Sequence, residues 1–132
     1  MAFFRPRVSR EAEVRYHADQ EAAKTYPALL ETAREAERAL RAKQAAHASG
    51  VELREAGVAL DKAISAVLRA AESAQRATFG VKAYDDRIRR RKGRATPEGA
   101  RWTDEVNRLR TLREEHRLTG VVRLPRQSAI PG

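Results

Sequence analysis

Apolar and small residues recur along this chain at three- and four-residue intervals, the spacing that puts them on one face of an α-helix. The clearest run is Leu53, Gly57, Leu60, Ile64, Val67, Ala71, Ala74 and Thr78. Its steps alternate four and three throughout, which is a heptad seam. It predicts a helix from about Val51 to Phe79, with Gly57, Ala71 and Ala74 small enough for a neighbouring backbone to come close. An earlier run of Ala12, Tyr16, Ala23, Tyr26, Leu30, Ala33 and Leu40 stays near the same repeat and predicts a helix from about Arg10 to Ser49. A third stripe, Trp102, Val106, Leu109 and Leu112, predicts a helix ending near Leu118. No segment shows the clear alternation of a strand.

Local signals set the ends of these helices. Ser9 is a plausible N-cap, and Glu11 and Glu13 follow in the first turn, where the helix dipole favours acids. Pro27 interrupts the first run and is expected to kink the helix or split it in two near Tyr26; the apolar phase carries across it, which favours a kink over a long loop. Ser49-Gly50 reads as a stop signal, and Gly80 permits a break. Thr96-Pro97-Glu98 combines a cap, a proline at the first helical position and an acid, which is a start signal. Gly120 closes the third helix, and Pro125 and Pro131 favour an extended tail. The expected fold is all-α within one domain: a basic arm over 1–9, a long kinked helical hairpin over 10–79, a basic linker or short helix over 80–95, a third helix over 96–119 and an extended tail over 120–132.

Composition qualifies this picture. The apolar fraction is 42%, but alanine dominates it and large aliphatics are sparse. Burial stabilises at roughly 25 cal/mol per Å², so a single copy is expected to have a thin core and to gain stability by assembling. There is no cysteine, which excludes disulfides and thiolate metal sites. One Met and one Asn beside abundant Arg and Glu fit a hot-environment source, and fit a GC-rich genome as well. No run approaches the ~20 apolar residues of a membrane span. The opening Met-Ala-Phe-Phe-Arg-Pro-Arg is too short an apolar run for a secretory signal. It is similar to the start of an organelle transit peptide, but Glu11 and Glu13 follow at once, and an ordered or binding arm is the better reading.

Charge is the feature that points to function. The chain carries 27 Lys+Arg against 18 Asp+Glu, a net +9. Residues 11–79 hold 10 basic and 11 acidic groups and are nearly neutral, whereas residues 80–132 hold 14 and 7. The first ten residues carry Arg5, Arg7 and Arg10 and no acid. A near-neutral helical body with basic extensions implies a polyanionic partner, most often nucleic acid. The densest segment is 87–94, where Arg87, Arg89, Arg90, Arg91, Lys92 and Arg94 make six of eight residues basic. Phosphate backbones relieve such crowding and release counterions as they do so; the bland alternative is a solvated charged linker. Arg101 and Arg108 border the Trp102 stripe and either clamp a backbone or snorkel beside a core tryptophan. The stripes Arg34, Arg38, Arg41 and Lys62, Arg69, Arg76 read as the wet faces of amphipathic helices.

Enzyme chemistry finds little support. His17, His47 and His116 lack ligand spacing, and no glycine-rich phosphate loop precedes a helix. Asp85-Asp86 reads as a salt-bridge partner for the basic run rather than a cation site. No zinc-finger spacing, aromatic RNA-recognition pattern or compact helix-turn-helix is present. No cofactor, metal or small-molecule substrate is expected.

In overall plan the chain resembles the helical coat proteins of archaeal filamentous and rod-shaped viruses, which wrap double-stranded DNA. The arm over 5–10, the kinked helix around Pro27 and the basic run over 87–94 carry the resemblance. It implies a virion structural protein whose subunits pair, with themselves or with a related helical protein, and stack into a filament. Cationic helix faces would neutralise phosphates without reading sequence. Two other readings stand beside it. One is a helical interaction protein, such as a phage scaffold or ribosome-associated factor, using the seam for a partner helix and acting in the cytoplasm. The other is a small regulatory DNA-binding protein with operator specificity.

Overall fold

The computed structural model describes residues 8–120. They form five α-helices: α1 (Arg10–Ala23), α2 (Tyr26–Ala45), α3 (Gly50–Phe79), α4 (Arg87–Ala95) and α5 (Pro97–Thr119). A 3-10 turn over Val81–Tyr84 links α3 to α4, and the described residues contain no strand. The fold is all-α. None of these helices is long and apolar enough to cross a membrane.

The 30-residue α3 is the centre of the molecule, with α1, α2 and α5 all packed along it. Leu60, Ile64, Val67 and Ala71 of the seam are fully enclosed. Burial at this level stabilises by about 1.5–3 kcal/mol for each of the large aliphatics. Ion pairs and hydrogen bonds fix α5 antiparallel along one flank: Arg117 with Asp61, Arg113 with Ser65, Arg110 with Glu72 and Gln75 with Thr103. Beside the seam, Ala56, Ala63 and Ala70 repeat every seven residues and leave room for close helix packing. The seam is therefore filled by this chain's own helices. Leu30, Ala33 and Leu40 reach it from α2, and Val106, Leu109 and Leu112 from α5.

Helix boundaries follow the predicted caps at some ends and depart from them at others. Ser9 accepts a hydrogen bond from the Ala12 amide, and Thr96 accepts one from the Gly99 amide. Of the kink or split expected at Pro27, the structure has the split: the run over 10–49 is two helices. The chain leaves helical pairing at Lys24 and Thr25, and Pro27 sits in the first turn of α2, where its missing N–H costs nothing. The break turns Tyr26 inward, where it stacks edge-on against Trp102 at 5.0 Å and its hydroxyl donates to the buried Glu105 carboxylate. At the other end α2 stops at Ala45, not near Ser49. His47 takes the left-handed conformation (φ 52°), and the Ala48 and His47 amides donate to the Lys43 and Gln44 carbonyls. This is a Schellman closure without glycine. Ser49, expected at a helix end, instead caps the start of α3 through the Glu52 amide.

Of the two readings of 80–95, linker or short helix, the structure has the helix, set in a corner by a 3-10 turn. Gly80 makes it possible, with φ 93° and ψ 159°, a region open almost only to glycine. A second device seats α4. A Cβ on Gly93 would lie 2.6 Å from Phe79 Cδ1, and a Cβ on Gly99 would collide with the Gly93 carbonyl oxygen. The two glycines let α4 lie against Phe79 and the first turn of α5. Gly99→Ala therefore forces α4 away from α5 and costs about 1–3 kcal/mol as overpacking does. A thermal melt followed by circular dichroism reads this directly, and an unchanged midpoint would refute the crossing.

Candidate nucleic-acid interface

One end of the bundle gathers the start of α1, the end of α3, the 3-10 turn, α4 and the start of α5. This places Arg10 and the basic run together. Ser9 donates to Asp85 at 2.9 Å, one residue before the Asp86 that caps α4 through the Ile88 and Arg89 amides. Arg5 and Arg7 lie outside the described residues, as do the first part of the expected arm and the expected tail beyond Gly120.

The helix α4 carries six cations in nine residues and buries none of its own side chains. Arg87, Arg91 and Arg94 fall at i, i+4 and i+7, one face of the helix, and all three are exposed. They form no ion pair with a described carboxylate, and neither does the exposed Lys92. The row spans about 10 Å at 1.5 Å rise per residue, close to three phosphate-to-phosphate steps along one strand at about 3.4 Å each. Ile88 is two-thirds exposed within this cationic surface. The remaining members of the run are engaged. Arg89 pairs with Asp86 at 3.8 Å, a long contact. Arg90 turns inward, its Nη1 donating to the Ala83 carbonyl at 2.8 Å and the Tyr84 carbonyl at 3.4 Å. Through these bonds Arg90 holds the corner in place.

The pair on α5 divides. Arg101 is exposed one turn from the α4–α5 junction, with no ion pair among the described residues. Arg108 is an ion-pair partner of buried Glu105, which also takes the Tyr26 hydroxyl. Trp102 packs on the core, so a backbone clamp from Arg108 and Trp102 is not what the fold builds. Arg34, Arg38 and Arg41 pair with Glu31 and Glu37 along α2, as a wet face does. Arg76 does not belong to a wet face. It makes two hydrogen bonds to the buried Asp19 at 2.9 and 3.0 Å, and Tyr84 donates to the same carboxylate at 2.6 Å. No helical spacing joins positions 19, 76 and 84, so the sequence gives no signal for this cluster.

That cluster attaches α1 to the basic end. Burial alone would raise the Asp19 carboxyl, but the hydrogen bonds from Arg76 and Tyr84 outweigh it and hold the group below its ordinary 3.8. Burial first, and then Asp19, push the Tyr84 hydroxyl well above its ordinary 10.0. His116 is buried on α5 with its Nε2 at 2.8 Å from the Gly57 carbonyl, in a tautomer that donates there. No group of three His, Cys, Asp or Glu side chains that could hold a metal occurs among the described residues.

No known protein family, curated protein or solved structure matches this chain.

The Asp19 cluster has a readable pH dependence. A carboxyl held low in the fold contributes stability that is present above about 3.8 and lost as pH falls through its lower folded value. Tyr84, held high, contributes below 10.0 and loses that contribution only as pH rises through its folded value. Attachment of α1 is thus constant between these limits and is lost at the acid end. Asp19→Asn removes charge-assisted bonds and costs about 2 kcal/mol, with the acid dependence flattened. Near-ultraviolet circular dichroism of the tyrosines against pH measures both.

Proposed function

We propose that this chain is a structural nucleic-acid-binding protein. It packages double-stranded DNA through sequence-independent phosphate contacts, in many copies, as a virion coat protein does. The observation that carries the reading is the row Arg87, Arg91 and Arg94 on a helix that adds no buried side chain to the core. Like charges at i, i+4 destabilise an isolated helix by a few tenths of a kcal/mol each, so without an anionic partner the row is a net cost. Guanidinium groups suit that partner, because their donors match phosphate oxygens two at a time. Arg10 and Arg101 lie at the same end and extend the surface, while the α2 cations are neutralised by their own carboxylates.

The absence of a base-reading motif favours backbone contact over operator recognition. The alternative of a partner helix docking on the seam loses support, because α2 and α5 occupy that surface. Copies that assemble on DNA would therefore meet through outer faces of the bundle rather than through the seam.

Fluorescence anisotropy with random-sequence duplexes over a range of salt tests the reading. Binding should weaken steeply with salt. Arg87→Gln, Arg91→Gln and Arg94→Gln together should lower the log–log slope by roughly 2.7, at about 0.9 for each phosphate contact, and leave helicity unchanged. A strong preference for one sequence at equal salt, or no response to the triple variant, would overturn it. Electron microscopy of the protein on long duplex DNA checks the packaging claim, for which a continuous filament is expected.

A further inference from the structure

A small cleft lies beside the α4 row, walled by Arg15 of α1, Arg76 and Phe79 of α3, Ala83 and Tyr84 of the 3-10 turn, and Arg90 of α4. Its volume is about 70 Å³, suited to one compact group rather than a whole nucleotide. Three guanidinium groups from three helices border it. The carboxylate bonded to this set is Asp19, which already takes two hydrogen bonds from Arg76 and one from Tyr84. Glu72 acts on Arg76 from further away, so three cations face two carboxylates, of which only Asp19 is hydrogen-bonded to the set.

Each arginine keeps donors to spare. A guanidinium carries five N–H groups. Arg76 commits Nε and Nη2 to Asp19, with Nη2 also reaching Ser73 at 3.3 Å. Arg90 commits Nη1 to the two carbonyls. Arg15 has no carboxylate partner among the described residues and rests over the Tyr84 ring at 5.4 Å from its centroid. Asp19 and the carbonyls fix Arg76 and Arg90 in advance, so little side-chain entropy remains to be lost when an anion enters. Phe79, Ala83 and Tyr84 line the cleft with apolar surface, which lowers the local dielectric and strengthens charge–charge contacts.

We propose that the Arg15–Arg76–Arg90 cleft is a binding site for a single phosphate group. This site is separate from the outer row of α4, and it stands whether or not that row binds duplex DNA. The shared chemistry is a tetrahedral oxyanion with two or more charged oxygens, supplied either by a terminal phosphate of a nucleic acid or by free phosphate. Arg90 borders both the cleft and the depression over α4 that Arg87, Arg91 and Arg94 line, so a chain lying on the row has its end within reach of the cleft.

The test is a titration of the full-length protein with inorganic phosphate at constant ionic strength, balanced with chloride and followed by ¹H–¹⁵N NMR. Saturable shifts are expected at the Ala83 and Tyr84 amides and at the Nε–H groups of Arg15, Arg76 and Arg90. Arg15→Gln, which breaks no hydrogen bond of the fold, should weaken binding about tenfold, the size of one charged hydrogen bond. Arg69→Gln, the same charge change on the exposed face of α3, should leave it as it is. Non-saturating shifts, or equal weakening by the two variants, would overturn the site. A short oligonucleotide with a 5′-phosphate that competes where its 5′-hydroxyl counterpart does not identifies a nucleic-acid end as the occupant. Binding of inorganic phosphate without such competition identifies free phosphate, and either result supports the cleft.

Discussion

The placement of the six α4 cations depends on one crossing, where Gly93 and Gly99 let α4 lie on Phe79 and the first turn of α5. A nine-residue helix with six cations has little reason to form by itself, since short helices are marginal even without internal repulsion. Here it is specified from outside. Asp86 satisfies two amides at its start, Thr96 ends it and begins α5, and Arg90 ties it back to the turn that precedes it. The repulsion among Arg87, Arg91 and Arg94 is carried by contacts that those three side chains do not make.

The body of the bundle supports that end by leaving it few obligations. With its broad buried face, α3 meets the α1–α2 pair and α5, and the large side chains are used up in those contacts. The buried carboxylates are matched in place: Glu105 by Tyr26 and Arg108, Asp19 by Arg76 and Tyr84. Arg76 and Arg108 build the fold through these carboxylates, and Arg90 through the Ala83 and Tyr84 carbonyls. Arg87, Arg91 and Arg94 have no such partners among the described residues and remain on the surface.

The sequence was legible wherever the signal was local or periodic. Ser9 and Thr96 announce their caps through neighbours three residues away, and Leu60, Ile64, Val67 and Ala71 announce the buried seam through spacing alone. Legibility failed where the deciding partner is remote. Nothing near position 47 marks His47 as the left-handed residue that ends α2, and Gly50, three residues later, carries the visible stop signal. A short helix over 80–95 is one of two readings the sequence allows, and what decides for it includes Phe79 and Gly99. Arg76 and Arg108 look like wet-face and clamp residues until the partners are seen, and the partner of Arg76 is 57 positions away. The alanines that keep large side chains sparse also allow three helices to close on α3.

The central claim is that α4 is a finished cationic helix before any polyanion arrives. Amide hydrogen exchange across residues 87–95, with and without duplex DNA, tests it most directly. The account predicts that amides from Arg91 to Ala95 are protected in the free protein and that DNA adds little to their protection. Exchange at unstructured rates in the free protein, with protection appearing only on addition of DNA, would contradict it.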